Sequence, residues 1–362
     1  MEKFLAVVEN AIEKQATDIH LVNDLPPLYR IKRSLVKDES IEPMNKYDLE
    51  GLMEALVGDN LNLVEQFESG KRLDLPYKVN DEVRLRVNAS MASGIPTFSI
   101  RVIRNKEIDI DALRLRNITD LLRTYNSGLI LITGSVNSGK TTTLNAYIQE
   151  LNKEANKKIV MLEEPIEYVH KPNKCVIVQK EVNATADVPS YYDGVINLLR
   201  EDSDIAIVGE IRDRKTMDAV VDLAESGGLV IGTMHTRSCG ETIERILSMY
   251  QPSEQRAIKY TLSNILKLIV SQKLIKNDLD GVTMVPEVLV SNSTIAALIR
   301  QDSFNISELK DAIHLGKDRG MISFEKSFTN LIKENIISLN GVRKYVEHES
   351  YNLILNMLGG GI

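Results

Sequence analysis

The sequence predicts an α/β fold in two parts, and three observations predict it. Four short apolar runs, GLILIT (128–133), KKIVMLEE (157–164), DIAIVGE (204–210) and GLVIGTMHT (228–236), are separated by stretches of helical periodicity. Buried strands alternating with helices build a mainly parallel sheet covered on both faces. Ahead of them, RLDLPYKVNDEVRLRVNAS (72–90) and TFSIRVIR (97–104) alternate apolar and polar residues with a period of two, the pattern of half-buried strands. The chain has 362 residues, 43% of them hydrophobic, enough for two separate cores.

Taken in order, the first element is an amphipathic helix running to Lys14, because Glu and Lys interrupt its apolar residues at helical spacing. The same interruption argues against a signal peptide. A strand follows at DIHLV, then a proline break in DLPPLYRIKRSLV. Residues 1–105 read as an α+β unit. The polar stretch 106–118, poor in long apolar runs, reads as the linker, and residues 119–362 as the second unit. Beyond about residue 240 the pattern becomes helical, in SEQRAIKYTLSNILKLIVSQKLI (253–275) and SFEKSFTNLIKENIIS (323–338). The apolar tail YNLILNMLGGGI reads as a docked helix with a frayed end.

Charge and cysteine content narrow the function classes. A formal net charge of −7 provides no global basic field to hold nucleic acid by counterion release, so no nucleic-acid partner is expected. Two cysteines, Cys175 and Cys239, are too few for a four-thiolate zinc site or a disulfide framework and fit a reducing cytosol. No apolar run approaches the roughly 20 residues that span a bilayer. Membrane association is therefore expected to come through partners or a surface contact.

The chemistry centres on GLILITGSVNSGKTTTLNAYI (128–148). Gly134, Gly139, Lys140 and Thr141 match G-x-x-x-x-G-K-[ST] in full, between an apolar strand and a helix, which is the context that makes the match specific. The glycines let successive N–H groups of Ser135, Asn137, Ser138 and their neighbours turn inward to phosphate oxygens, and the following helix, through Thr142, adds its N-terminal partial charge. Lys140 is expected to reach the terminal phosphates and Thr141 to place its hydroxyl on Mg²⁺.

Three strand ends supply acids or bases. Glu210 closes an apolar strand in the manner of a Walker B element. Glu163, Glu164 and Glu167 follow the strand that begins at Lys158, where Pro165 stops the strand so that a turn sets the position of Glu167. Read alone, that segment is equally an ordinary acidic loop. His235 ends the last run, where ligands collect in such sheets, and by itself suits a structural role as well as a sensor of the terminal phosphate.

Together these motifs resemble the type II and type IV secretion ATPases, and within them the pilus retraction branch. The similarity runs from ATDIHLVNDLPPLYRI (16–31) to AIHLGKDRGMISFEKSFTNLIKENIIS (312–338), with LEEPIEYVH as acidic box, LLREDSDIAIVGEIRD as Walker B and GTMHT as histidine box. The resemblance implies a RecA-like P-loop ATPase domain joined to an N-terminal PAS-like domain, in a cytoplasmic homohexameric ring peripheral to the inner face of the membrane. It implies ATP and Mg²⁺ as ligands, an inner-membrane pilus platform protein as partner, and ATP hydrolysis powering pilus retraction. Extension or secretion is the alternative, as is an ATP-binding regulatory ring with little turnover.

By the same likeness, Glu167 is the catalytic glutamate that orients or deprotonates water, and Glu210 supports Mg²⁺ with Thr141, Glu163 and Glu164. His235 is the histidine of the box. Arg86 and Arg101 of the N-terminal domain complete a nucleotide site, with Arg84 and Arg104 as nearby candidates. Three positions and one helix motif depart from the family pattern. Gly228 stands where a histidine is usual, which removes or replaces one nucleotide-linked contact, and Glu164 stands for an aspartate. Gly94 stands for a third arginine. The helix motif associated with retraction survives as TIAALIRQ (294–301), keeping Ile295, Leu298, Ile299 and Arg300.

Overall fold

The computed structural model describes residues 1–31, 34–80, 82–104, 107–183, 187–279, 281–316 and 320–359. The chain divides into two compact units: Met1–Glu107 with Glu164–Val169 and Asn183–Asp187, and the remainder.

The first unit is the α+β part. It opens with α1 (Glu2–Glu13), whose Phe4, Val7, Val8 and Ala11 are buried. Strands β1 (Asp18–Leu21), β2 (Leu28–Ile31) and β3 (Ser34–Lys37) follow, then α2 (Lys46–Val57) and α3 (Leu61–Glu68). Strands β4 (Leu73–Lys78), β5 (Val83–Ala92) and β6 (Ile95–Arg104) complete an antiparallel sheet of order β3-β2-β1-β6-β5-β4. Period-two burial along β5 puts Val83, Leu85, Val87 and Ala89 in the core and turns Arg84 and Arg86 to the other face. The α2 start is fixed by a capping box, in which Asn45 and Asp48 each bond the other's backbone N–H.

Asn105 and Lys106 lie outside the described residues, and most of the expected linker is not a linker. Ile108, Ile110, Leu115 and Ile118 are buried, and Ile108 exchanges two 2.9 Å hydrogen bonds with the Gln149 side chain. These apolar residues stand singly among charges, so the polarity of the stretch hid its role as a packed strap ending in α4 (Arg116–Leu122).

The second unit is built on β7 (Gly128–Thr133), fully buried, followed by α5 (Lys140–Glu154) and β8 (Lys158–Glu163). Next come β9 (Val176–Glu181), α6 (Tyr191–Leu198), β10 (Ile205–Val208), α7 (Arg214–Glu225), β11 (Leu229–Met234), α8 (Cys239–Ser248) and α9 (Gln255–Ile265). The seven-stranded sheet has the order β13-β12-β7-β11-β10-β8-β9, parallel throughout except for the edge pair of β12 (Leu266–Lys276) and β13 (Val282–Val290). That edge corrects the sequence reading. The stretch 253–275 was expected to be helical, yet the chain passes from α9 straight into β12 without a Gly or Pro to mark the change. The run Leu266–Val270 is apolar enough to pair with β7 on one side and β13 on the other, and that pairing overrides local helical character.

Helices α10 (Ser293–Arg300), α11 (Ile306–Leu315), α12 (Phe324–Lys333), α13 (Leu339–Val342) and α14 (His348–Met357) close the unit. The tail helix α14 docks through buried Ile354 beside Phe324 and Phe328, and Ser350 donates to Glu325 at 2.6 Å.

One buried carboxylate ties the first unit together. Asp38, 4% exposed, accepts from Lys14 Nζ at 2.7 Å and from Ser40 Oγ at 2.6 Å. Burial pushes its carboxyl up, but the Lys14 and Ser40 donors outweigh this and hold the pKa at about 2. An unfolded aspartate titrates near 3.9, so the folded state holds fewer protons between these values, and the stabilisation is complete above pH ~5 and lost as pH falls toward 2. Asp38→Asn is expected to cost about 2 kcal/mol at pH 7 and about 1 kcal/mol at pH 3, read from urea midpoints at the two pH values.

Candidate nucleotide site

At the carboxyl end of β7 the chain enters a closed loop and leaves it as α5. Gly134 (φ +151°), Asn137 (φ +62°) and Gly139 (φ +90°) all take backbone angles that curl the chain, and Gly139 sits at the N-terminus of the helix. A Cβ on Gly134 would lie 2.4 Å from the Gln272 carbonyl oxygen and 2.4 Å from Ser138 Oγ, so only glycine fits. Ser138 is buried, and its Oγ has no hydrogen-bond partner among the described residues.

Lys140, 9% exposed, folds back over this loop. Its Nζ donates to the carbonyls of Gly134 at 2.9 Å and Ser135 at 3.0 Å and lies 3.2 Å from His235 Nδ1. Burial lowers the ammonium pKa below its ordinary value, and nearby Glu210 pulls it back up. His235 follows β11 directly, and its Nε2 lies 3.3 Å from Glu210 Oε1. Glu210, two residues beyond β10, also accepts from Arg212 at 2.7 Å. Burial pushes the Glu210 carboxyl up, but Arg212 and His235 outweigh it and hold the pKa below the usual range.

These contacts fix the imidazole. Lysine ammonium can only donate, so Nδ1 must accept, and the neutral tautomer with its proton on Nε2 then donates to Glu210. Lys140, His235, Glu210 and Arg212 therefore form one polar chain across the ends of three parallel strands. Backbone pairing holds it: Ile211 N–H donates to Thr233 O at 2.9 Å, and Thr233 Oγ1 donates to Gly209 O at 2.5 Å. Arg212 was not singled out in the sequence. Its only signal was its position two residues beyond the Walker B acid.

The acidic box is divided. Glu163 ends β8 and is buried, its Oε1 accepting from Gln179 at 2.8 Å. Glu164, exposed, and Glu167, half-buried, belong to the segment Glu164–Val169 that groups with the first unit. His170, where the chain rejoins the second unit, bonds Asn145, and burial lowers its pKa to about 4. Among the described residues no three His, Cys, Asp or Glu side chains gather as a metal cage. Thr141 and Thr142 lie in the first turn of α5, both half-buried.

In the first unit Arg86 and Arg101 are direct cross-strand partners on β5 and β6. Like charges placed opposite one another repel, and two aspartates offset this: Arg86 Nε lies 3.6 Å from Asp74 and Arg101 Nε 3.4 Å from Asp18. Of the two nearby candidates, Arg104 is engaged elsewhere, bonding the Ala16 carbonyl at 2.9 Å and those of Ala11 and Ile12 at the end of α1. Arg84 stays on the Arg86 face, paired in register with Lys78 and Ile103. Gly94 has a structural cause. With Ser93 (φ +53°) it forms the two-residue turn between β5 and β6, which needs positive φ at both positions. Gly228 needs a different reading from the one the family pattern gave. It precedes β11, at the end away from His235 by about 20 Å of strand, so its lack of a side chain removes nothing from this chain's own loop.

The chain matches the type II/IV secretion system protein family over residues 1–283. The chain belongs to that family. It is 31% identical to the type IV pilus retraction ATPase PilT of Pseudomonas aeruginosa over 329 residues, covering 91% of this chain and 94% of that one. A twitching motility protein of Neisseria gonorrhoeae is 27% identical, over 85% and 81% of the two chains. The crystal structure of the pilus retraction motor PilT with bound ADP superposes with a TM-score of 0.86 at 28% identity, covering 95% of this chain and 97% of that one. The chain is thus a PilT-like type II/IV secretion ATPase, with the α/β fold that class requires.

His235→Ala removes the bridge between Lys140 and Glu210 without touching the loop backbone. ADP affinity is expected to stay within about threefold while kcat falls about tenfold or more, measured by calorimetry and steady-state phosphate release.

Proposed function

We propose that the chain is an ATP-hydrolysing motor that works as a homohexameric ring at the inner face of the cytoplasmic membrane and powers type IV pilus retraction through a membrane platform protein. The observation that carries this reading is the Lys140–His235–Glu210 chain on a complete phosphate loop, in a protein that aligns with PilT over nine tenths of its length. Among the described residues no helix is long and apolar enough to cross a membrane.

The residues fit a nucleotide with Mg²⁺. The loop leaves Ser138 Oγ unpaired, and Thr141 and Glu210 offer the hard oxygen donors that Mg²⁺ takes, in a site of the kind where the phosphates supply further ligands. Mg²⁺ held there would neutralise charge on the phosphate oxygens. Lys140 exchanges its loop carbonyls for the terminal phosphates, and Glu167 orients or deprotonates the attacking water. His235 carries the change at Lys140 to Glu210, and Arg86 and Arg101 supply fixed positive charge to the transferred group.

A secretion or extension motor is the second reading, and α10 favours it. Its inward residues Ile295 and Ile299 are buried, and Arg300 bonds Ser263 and Asn264, each at 2.6 Å. Of the positions that depart from the retraction motif, Thr294, Ala297 and Gln301 are exposed and Ala296 is half-buried. The two buried isoleucines of the motif are therefore kept, while most of its exposed positions are changed.

Steady-state ATPase activity of the full chain beside Lys140→Ala, with mass measured in the same buffer, tests the motor reading. Turnover in a hexamer that vanishes in the variant supports it, and a stable ring that binds ATP without turnover sinks it. Glu167→Gln is expected to leave ATP binding intact and lower kcat by about 10²-fold or more. Arg86→Ala and Arg101→Ala should each cripple the ring, and mixing either with Glu167→Gln protein tests action on a neighbour's site: partial recovery of turnover is expected, and none contradicts it.

A further inference from the structure

Among the described residues, five buried side-chain atoms have no hydrogen-bond partner, and three of them belong to Ser138, Ser271 and Gln272. Ser138 is in the phosphate loop, and the other two are on β12 beside it. Gln272 is 1% exposed. Its Nε2 donates to the Ser138 carbonyl at 2.9 Å and would lie 3.2 Å from a Cβ on Gly139. Its own carbonyl oxygen is the atom that crowds Gly134. One residue therefore touches both ends of the loop. The free Oε1 belongs to a carboxamide that lines a cavity of about 610 Å³ together with Ser135, Arg237 and Lys273.

We propose that Gln272 is a positioning residue for the phosphate loop. The inference rests on the nucleotide reading above and assigns a part of the site that no motif supplied. A loop that grips phosphate must turn its N–H groups inward, which sends its carbonyls outward. Buried carbonyls without a donor are costly, so an outward carbonyl with a fixed donor behind it keeps the peptide in the gripping orientation. Gln272 Nε2 is that donor for Ser138. Without it the peptide samples other orientations, the competent fraction of the loop falls, and the apparent affinity falls with it. The effect acts on binding and not on the chemical step, because Gln272 lies behind the loop.

The test compares ADP dissociation constants, KM and kcat for ATP, and ligand-free melting temperatures in the full chain, Gln272→Met and Gln272→Ala. Methionine keeps the volume and removes the donor. The expected result is that both variants bind ADP about tenfold more weakly or worse, with KM raised in step and kcat at saturation within about threefold of the parent. A Gln272→Met protein that binds ADP like the parent, with only Gln272→Ala impaired, would make the residue a space filler and overturn the proposal. Absence of ADP binding by the parent chain would overturn the nucleotide reading itself.

Discussion

The second unit is organised around a loop too tight for any side chain at its first residue. Gly134 must clear the Gln272 carbonyl and the Ser138 hydroxyl at once, and this closeness gives the turn at the end of β7 its curl. The parallel sheet makes the position useful. Five further strands lie parallel to β7, so the loop, the Walker B acid and the histidine all emerge at one edge, beside the N-terminus of α5. The antiparallel strand β13 sits outside β12 and keeps Gln272 off the sheet edge.

Charge at that edge is arranged in series. A buried ammonium whose loop partners are carbonyls is satisfied but poised, because phosphate oxygens are stronger acceptors than peptide carbonyls. His235 bridges Lys140 and Glu210, and Arg212 holds the far oxygen of the same carboxylate. The acidic box is split differently: Glu163 is locked by Gln179 in the sheet, while Glu164 and Glu167 group with the first unit.

Much of this was legible in the sequence because it is local. The loop glycines, the strand-ending acid and the histidine each follow an apolar run, and the period-two pattern of β5 and β6 put Arg86 and Arg101 on one face. What was not legible depends on distant pairing. Nothing between Ile265 and Leu266 announces the change from helix to strand, since β12 exists only because β7 and β13 flank it. The strap at 108–118 is held by Gln149 of α5, and Gln272 meets Ser138 across 134 residues of chain. Gly94 and Gly228 were read as losses against a family pattern. The first is the demand of a hairpin turn, and the second lies at the wrong end of its strand.

The central claim is that the phosphate loop is held in its gripping form by the residues behind it and emptied onto Lys140 and His235. A crystal structure of the chain with ADP tests it most directly. The account predicts phosphate oxygens within the Gly134–Thr141 loop, Lys140 Nζ moved from the Gly134 and Ser135 carbonyls, and Gln272 still bonded to Ser138. ADP bound elsewhere, or in this loop with Lys140 still on those two carbonyls, would contradict it.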